Sequence, residues 1–269
     1  MIDETEVDLL LNDLLDIYGY DFTHYSRASL KRRINRIWTL DKFPSFAELR
    51  YRIRSDADYI KRFVEELTVN VTEMFRDPLF YKALRTEVLH TLAAKPFIRI
   101  WHAGCSTGEE VFSMAILLSE ANLLHKSLLY ATDLNPEVLE TARKGIFAMA
   151  PMKQYSESYI QSGDINDFSS CYTAQYGYVK FRSDLAEKMV FSTHNLVSDR
   201  SFNEFDLIMC RNVLIYFDKA LQQRVMSLFE ESLGPLGYLA LGAKETLKFS
   251  TLQPRLKQLG TEKIWRKIS

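Results

Sequence analysis

Residues 97–110, FIRIWHAGCSTGEE, decide the fold class of this chain. The segment opens with an apolar, β-rich run, continues with small residues up to Gly108, and is followed by apolar residues at helical spacing. A strand, a glycine loop and a helix in this order are typical of a nucleotide-binding α/β unit, although an ordinary strand-to-helix turn has the same pattern. The loop reads Gly-x-x-x-Gly without a following Lys, so it is neither a dinucleotide fingerprint nor a phosphate loop.

A second signal follows further along the chain, where the apolar run 128–132 ends in Asp133. An acid at the end of the second strand is where nucleotide-binding α/β folds hold ribose hydroxyls. Asn135 and Pro136 then have the sequence of a helix N-cap and first helical position. The spacing between the glycine loop and Asp133 favours a ligand site over the alternative, a solvated loop residue.

Composition places the chain among soluble globular proteins, with 269 residues, 47% hydrophobic and 26% charged. A net charge of −1 favours neither nucleic acid nor a membrane as partner. Cys105, Cys171 and Cys210 are far apart, which indicates no disulfide framework and no metal site, and fits a reducing compartment such as the cytoplasm. The acidic N-terminus lacks the basic region of a signal peptide, and no apolar run is long enough to cross a bilayer.

The first seventy residues predict a small all-helical domain, residues 1–70. One helix ends near Tyr18, a second covers residues 25–40, a third begins at a capping box of Ser45 and Glu48, and a fourth covers 57–67. Residues 71–96 form a linker and a connecting helix that begins at Asp77 and Pro78.

Residues 97–269 predict a mostly parallel sheet covered on both faces, because strands and helices alternate. The candidate strands are 97–102, 128–132, 189–194, 205–210, 237–242 and 263–267. Residues 146–188 are too long for an ordinary connection and predict an inserted lobe with a helix near 155–161 and a strand at 178–181. Polar side chains after the strands, including Asn195, Asn212 and Tyr216, predict a site at one edge of the sheet, although each alone could be structural.

Five motifs are similar to those of a known family. They are NVTEMFR at 70–76, AGCSTGEE at 103–110, ATD at 131–133, HNL at 194–196 and CRNVLIYF at 210–217. The motifs occur in the order that the family has. The chain resembles the chemotaxis-receptor glutamate methyltransferases, the CheR family, over nearly its whole length. One departure is Met74, where an aromatic residue is usual.

The resemblance implies an α/β fold: a Rossmann-like S-adenosylmethionine-dependent methyltransferase domain with an inserted β-subdomain, preceded by the helical domain. It implies methyl esterification of glutamates on the glutamate-rich coiled coil of a chemoreceptor, with S-adenosylhomocysteine as product. The residues carried over to the cofactor are Asn70, Thr72, Arg76, Gly104, Glu110, Asp133, Asn195, Leu196, Asn212 and Val213. Arg76 and Tyr216 are expected near the transferred methyl, and Glu109 could exchange roles with Glu110.

Docking of the receptor is predicted from the second helix. Its inner stripe of Leu30, Ile34 and Ile37 leaves a basic face, of which Arg32, Arg33 and Arg36 are predicted to contact the receptor. The alternative is a solvated face balanced by the acidic first helix. The inserted lobe is a second candidate surface, for a receptor's C-terminal peptide, and a monomer is the default expectation.

Other functions fit the motifs less well. An amino-group or adenine methyltransferase usually carries Asn/Asp-Pro-Pro-Tyr where this chain has Arg211, Asn212 and Val213. A cytosine C5 enzyme needs a nucleophilic Cys, but Cys210 ends a strand and reads as a small core residue. The alternative kept open is a signalling module of the same fold that binds the cofactor without turnover or has a different target.

Overall fold

The computed structural model describes residues 2–23, 25–68, 72–163, 166–248 and 250–268. The chain divides into two compact units. The helical unit holds Met1–Asn70 and Ile215–Arg224, and the sheet unit holds Val71–Leu214 and Val225–Ser269. None of the helices in the described ranges combines the length and the apolar composition that crossing a bilayer requires.

The helical unit contains the four predicted helices. They are α1 Glu4–Tyr18, α2 Arg27–Asp41, α3 Phe46–Ser55 and α4 Ala57–Thr68. Ser45 caps α3 by accepting the Glu48 N–H at 3.3 Å, while the full reciprocal capping box forms at α1, between Asp3 and Glu6. The predicted stripe of α2, Leu30, Ile34 and Ile37, is buried in the core of this unit.

The sheet unit carries the remaining elements. Its strands are β1 Ile98–Ala103, β2 Ser127–Asp133, β3 Ile146–Ala148, β4 Tyr172–Gln175, β5 Tyr178–Phe181, β6 Met189–Thr193, β7 Phe205–Cys210, β8 Leu233–Leu241, β9 Leu256–Leu259 and β10 Ile264–Lys267. Its helices are α5 Pro78–Ala83, a π-helical segment Leu84–Leu89, α6 His90–Leu92, α7 Glu109–Glu120, α8 Pro136–Lys144, α9 Met152–Gln161 and α10 Ser183–Ala186, and α11 Lys219–Ser232 spans the two units. Short 3-10 turns occur at Leu124–Lys126, Phe168–Cys171, Leu214–Tyr216 and Gln253–Arg255.

The main sheet has seven strands in the order β6-β2-β1-β7-β8-β10-β9. Five of them are parallel, and β10 and β9 are antiparallel additions. All six predicted strands are present, whereas β9 was not predicted because it is short and only its two terminal leucines are apolar. Successive strands run outward from β1 to β2 and β6, then the chain returns to β7 on the other side of β1. The carboxyl ends of β1 and β7 therefore form the topological switch point where ligands bind in such sheets.

The predicted insertion forms a separate three-stranded antiparallel sheet, ordered β3-β5-β4. The strand predicted at 178–181 is β5, and the predicted helix lies within α9. Phe147, Tyr159 and Phe181 of this lobe are buried in the same core as α7 and the main sheet, so the lobe packs on its parent domain.

Candidate functional site

The glycine loop after β1 turns tightly against the neighbouring strands. Gly104 and Gly108 have φ of +81° and +97°, values that favour glycine. The N–H groups of Gly104 and Cys105 both donate to the Thr132 carbonyl, at 2.8 and 2.9 Å. A Cβ on Gly104 would lie 2.6 Å from Val213 Cγ2, so a larger residue would separate the loops after β1 and β7.

Asp133 lies at the end of β2 with both carboxylate oxygens held by backbone. Its Oδ2 accepts the Ser106 N–H at 2.9 Å and its Oδ1 accepts the Asn135 N–H at 3.0 Å. Burial raises the pKa of Asp133, and the backbone donors partly oppose that rise. Since each oxygen has more than one lone pair, the carboxylate is a fixed acceptor with capacity left for a ligand hydroxyl.

Asn135 caps α8 as predicted. Its side-chain oxygen accepts the Glu137 N–H at 2.8 Å, and Pro136 is the first helical residue. The turn between β2 and α8 is therefore fixed from both sides, which holds Asp133 in place.

Arg211, directly after β7, is the centre of a buried ionic network that the sequence did not reveal. Its side chain is 2% exposed, and its guanidinium contacts Asp77 Oδ2 at 2.6 Å, the Arg76 carbonyl at 3.0 Å and Glu110 Oε2 at 3.3 Å. The Phe80 ring lies 4.0 Å below it. The only signal in the sequence was a charged residue placed directly after the apolar run 207–210 that ends β7.

The two acids at the start of α7 have different surroundings. Glu110 Oε1 lies 3.0 Å from His102 Nδ1; burial would raise the pKa of Glu110, but His102 and Arg211 outweigh burial and lower it. Burial raises the pKa of Glu109, whose Oε2 accepts the Thr107 hydroxyl at 2.6 Å. Glu110 is thus the better-ionised acid, which favours it over Glu109 for a cationic ligand group.

The segment that carries Arg76 has an unusual backbone. Phe75 and Asp77 have φ of +51° and +60°, a region that non-glycine residues seldom adopt. Met74 and Phe75 are fully buried, and the Phe75 N–H donates to Ser113 Oγ at 3.0 Å. Strain of this kind at a site is maintained by the surrounding structure. Here the buried anchors and the contact of Arg211 with the Arg76 carbonyl hold the Arg76 backbone in place.

Glu245 organises the loop after β7, and sequence reasoning missed it as well. Its carboxylate accepts the N–H groups of Gly242, Asn212 and Leu214 at 2.6, 3.0 and 2.7 Å. Burial raises the pKa of Glu245, and these backbone donors oppose the rise. Asn212 has φ of +62°, so Glu245 holds a strained turn. Gly242 is three residues from Glu245, but Asn212 and Leu214 are 33 and 31 residues away, and no local pattern indicates such a contact.

Asn195 and Leu196 follow β6, which pairs with β2 next to Asp133. The His194 N–H donates to the Asp133 carbonyl at 3.1 Å, and Asn195 Oδ1 accepts the Val197 N–H at 2.9 Å. Leu196 is buried, at 8% exposed. These residues therefore lie at the same edge of the sheet as Asp133.

Several predicted ligand-binding side chains are half-buried and lack a protein partner. In the part of the chain that the structure describes, no hydrogen bond or ion pair engages the side chains of Thr72, Arg76 and Asn212, or Asn195 Nδ2. These side chains are partly accessible and have hydrogen-bonding capacity to spare, so this set is suited to a polar ligand. Together with Asp133 and Glu110 the residues suit a cofactor with ribose hydroxyls and charged ends. Asn70 lies outside the described residues. The described residues hold no group of three or more His, Cys, Asp or Glu that could bind a metal ion.

The other predicted site residues belong to the helical unit. Tyr216 is half-buried there. Arg32 and Arg36 are exposed, and no described residue pairs with them. The expectation that Arg33 also projects freely is wrong, because Arg33 is only 8% exposed and its Nη1 donates to the Leu67 carbonyl. Of the neighbouring basic residues, Lys31 pairs with Glu4.

A switch point with a glycine loop, an acceptor at the end of the second strand and unpaired polar side chains defines a nucleotide-type ligand-binding α/β domain. The chain belongs to the CheR methyltransferase family. Residues 70–264 match the model described as CheR methyltransferase, SAM binding domain, and residues 5–68 match CheR methyltransferase, all-alpha domain. The cofactor of this domain is therefore S-adenosylmethionine.

Curated relatives agree with the family assignment. One relative is a Pseudomonas putida protein with the provisional name methyltransferase Cher3. It is 44% identical to this chain, and the match covers 98% of this chain and 97% of the relative. The chemotaxis protein methyltransferase of Salmonella typhimurium is 34% identical, and the match covers 83% of this chain and 75% of that protein. The protein of that name from Listeria monocytogenes is 30% identical over 85% of each.

Proposed function

We propose that the chain transfers a methyl group from S-adenosylmethionine to glutamate carboxylates on the cytoplasmic coiled coil of a bacterial chemoreceptor, and that it acts in the cytoplasm. The observation that carries the proposal is the half-buried Arg76 guanidinium, unpaired among the described residues, on a backbone fixed by Arg211. A free guanidinium on a fixed backbone is suited to a carboxylate acceptor. Relatives named chemotaxis protein methyltransferase support this target.

Cofactor binding is assigned to the residues at the switch point. Asp133 accepts ribose hydroxyls, and Glu110 faces the cationic end of the methionine part. Asn195, Leu196, Asn212, Val213, Thr72 and Asn70 complete the proposed set, with Gly104 permitting close approach. The proposed domain boundary near residue 70 is supported by the two family matches, 5–68 and 70–264.

The acceptor needs no general base. A glutamate side chain has a pKa of about 4.3, so it is ionised at neutral pH. The cofactor supplies a methyl group carried on a sulfonium. Because an anion and a cation combine to neutral products, charge disperses in the transition state, and strong clamping of either charge would favour the ground state. Rate gain therefore comes from orientation: Arg76 holds one acceptor oxygen so that the other is aligned, and Tyr216 confines the reacting group.

The test is transfer of labelled methyl to receptor-containing membranes. We expect label in the receptor band that alkali releases, since methyl esters are base-labile, and none when the receptor's methylation-site glutamates are replaced by alanine. Calorimetry with S-adenosylhomocysteine runs alongside. Cofactor binding without transfer to any receptor would contradict the proposal and identify a signalling module without turnover. Alkali-stable label would identify a different acceptor.

A further inference from the structure

Arg33 occupies a different environment from the other arginines of α2. It is buried, and its Nη1 donates to the Leu67 carbonyl near the end of α4. Burial lowers the pKa of Arg33, and the nearby Tyr216 opposes that change. A side chain that is enclosed and already bonded cannot also reach out to a partner protein.

The guanidinium of Arg33 lies against Tyr216. Its Cζ is 4.4 Å from the centroid of the Tyr216 ring, within the range of a cation–π contact. A planar guanidinium stacks on an aromatic face in a defined orientation, which a lysine ammonium cannot reproduce.

The backbone around Tyr216 is held by the same end of α2. The Tyr216 carbonyl accepts the N–H of Ser26, the N-cap residue of α2, at 2.7 Å. Phe217 forms a β-bridge with Tyr25, and their rings pack edge to face with centroids 5.0 Å apart. Tyr216 is therefore fixed in main chain and side chain by residues of α2 and the turn before it.

We propose that Arg33 is a positioning residue for Tyr216: it sets the orientation of the tyrosine ring and hydroxyl for methyl transfer and does not contact the receptor. The proposal rests on the proposed function, in which Tyr216 acts at the reacting group. It reassigns one of the three arginines predicted to dock the receptor. Arg32 and Arg36 keep that prediction. They line a groove of about 480 Å³ to which Arg33 and Tyr216 also contribute.

Arg36 provides the matched comparison. It lies on the same helix, carries the same charge and lines the same groove, but it is exposed and no described residue pairs with it. If Arg33 acted by docking, substitution of Arg33 and of Arg36 would change the same kinetic parameter. If Arg33 acts through Tyr216, the two substitutions affect different parameters.

The experiment compares Arg33→Met, Arg33→Lys and Arg36→Met, each in the native background and with Tyr216→Ala. We expect Arg33→Met to lower kcat by up to about tenfold, because loss of a cation–π contact of ordinary strength lowers the fraction of Tyr216 in the held orientation by at most that factor, with the receptor KM changed less than about twofold. Arg36→Met should raise the receptor KM instead. In the Tyr216→Ala background, Arg33→Met should have no further effect on kcat, because the residue through which it acts is gone.

A readout independent of turnover is the ¹⁹F NMR signal of fluorotyrosine placed at position 216. Arg33→Met should shift or broaden this signal, and Arg36→Met should leave it unchanged. If Arg33→Met prevents folding, Arg33→Lys can be compared with Arg36→Met instead. Arg33→Lys retains the positive charge but lacks the planar guanidinium that stacks on the Tyr216 ring, so it should give an intermediate kcat.

Three results would overturn the proposal. The first is a rise in receptor KM without a fall in kcat for Arg33→Met, which would restore a docking role. The second is an additive loss of kcat in the Tyr216→Ala background, which would show that Arg33 does not act through Tyr216. The third is normal turnover by Tyr216→Ala alone. That result would show that Tyr216 has no role in methyl transfer, while the proposed methyltransferase function itself would be retained.

Discussion

The switch-point site and the α2 helix both place arginines beside predicted functional residues, but they hold them by different interactions. Arg211, at the switch point, is held by the carboxylates of Asp77 and Glu110. Arg33, on α2, is held by a carbonyl and an aromatic ring. Arg36 is exposed, and no described residue pairs with it. An arginine's role therefore follows from its partners: enclosed guanidinium groups fix other residues, and free ones are available to ligands.

The largest effect expected from this comparison is on stability. Arg211→Met leaves Glu110, whose side chain is 14% exposed, without this cation, and breaking such a largely buried pair costs about 3 kcal/mol of unfolding free energy. Asp77 is 42% exposed and contributes less to the loss. Denaturant unfolding measures this loss. The matched control is Arg255→Met, since Arg255 is 67% exposed in its pair with Glu230. Exposed pairs contribute less than about 1 kcal/mol, so equal losses in the two variants would show that the Arg211 network is not a structural clamp.

Arg76→Ala should have the opposite profile, with turnover lost and stability kept. The Arg76 side chain has no described partner, so its removal breaks no ion pair. Misplacing the acceptor should lower kcat about 100-fold, while affinity for S-adenosylhomocysteine changes much less. Single-turnover kinetics measure the loss of turnover, and calorimetry on the same preparation measures the affinity for S-adenosylhomocysteine. Near-normal turnover would exclude Arg76 as the orienting group.

Asp133→Ala tests the cofactor side of the switch point. We expect affinity for S-adenosylhomocysteine to fall by about 1.5–3 kcal/mol, the value of a charge-assisted hydrogen bond. Asp184→Ala is the control, because Asp184 is an exposed carboxylate paired with Arg182. Unchanged affinity in the Asp133 variant by calorimetry would remove Asp133 from the cofactor site.

These residues divide into those that sequence reasoning could predict and those it could not. Asp133 and the Asn135 cap were predictable, because strand ends and helix caps follow from local periodicity and capping chemistry. Arg211 and Glu245 were not, because their partners are brought together only by the assembled sheet. The inserted lobe was predicted from its length, whereas strand β9 lacked a local pattern of its own.

Arg33 was predictable in principle. Successive residues turn by about 100° around a helix, so Arg33 lies about 40° from Ile37, while Arg36 lies about 100° and Arg32 about 140° away. Its phase therefore places it at the margin of the apolar stripe. What the sequence could not supply was the aromatic face that receives it, because Tyr216 is far along the chain.

A smaller effect is expected from pH. Burial raises the pKa of Asp133 above its ordinary value of 3.8, so Asp133 becomes protonated earlier than an exposed aspartate on acidification. Below that raised pKa the hydrogen bond to the cofactor is no longer charge-assisted, and affinity should fall about fivefold. Since a raised pKa means that the fold favours the protonated form, this titration does not itself destabilise the protein. Calorimetry across acidic pH measures the change, and Asp133→Asn should lack it. The pKa of Glu110 is lowered, so its protonation is shifted to lower pH than that of an exposed glutamate.

The smallest expected effect concerns receptor docking by α2. Arg36→Glu should raise the receptor KM about twofold to fivefold, since an exposed ion pair contributes about 0.2–1 kcal/mol, and leave cofactor affinity unchanged. Arg27→Glu makes the same charge change on the same helix, but Arg27 is already paired with Asp8 at 2.7 Å, so its effect on KM should be smaller. The difference in receptor KM between the Arg36→Glu and Arg27→Glu variants should shrink as salt rises, because the Debye length falls from about 10 Å at 0.1 M to about 3 Å at 1 M. Arg32→Glu should behave like Arg36→Glu, because both side chains are exposed and unpaired among the described residues. Receptor kinetics that respond to neither reversal nor salt would show that the exposed arginines of α2 form only a solvated face.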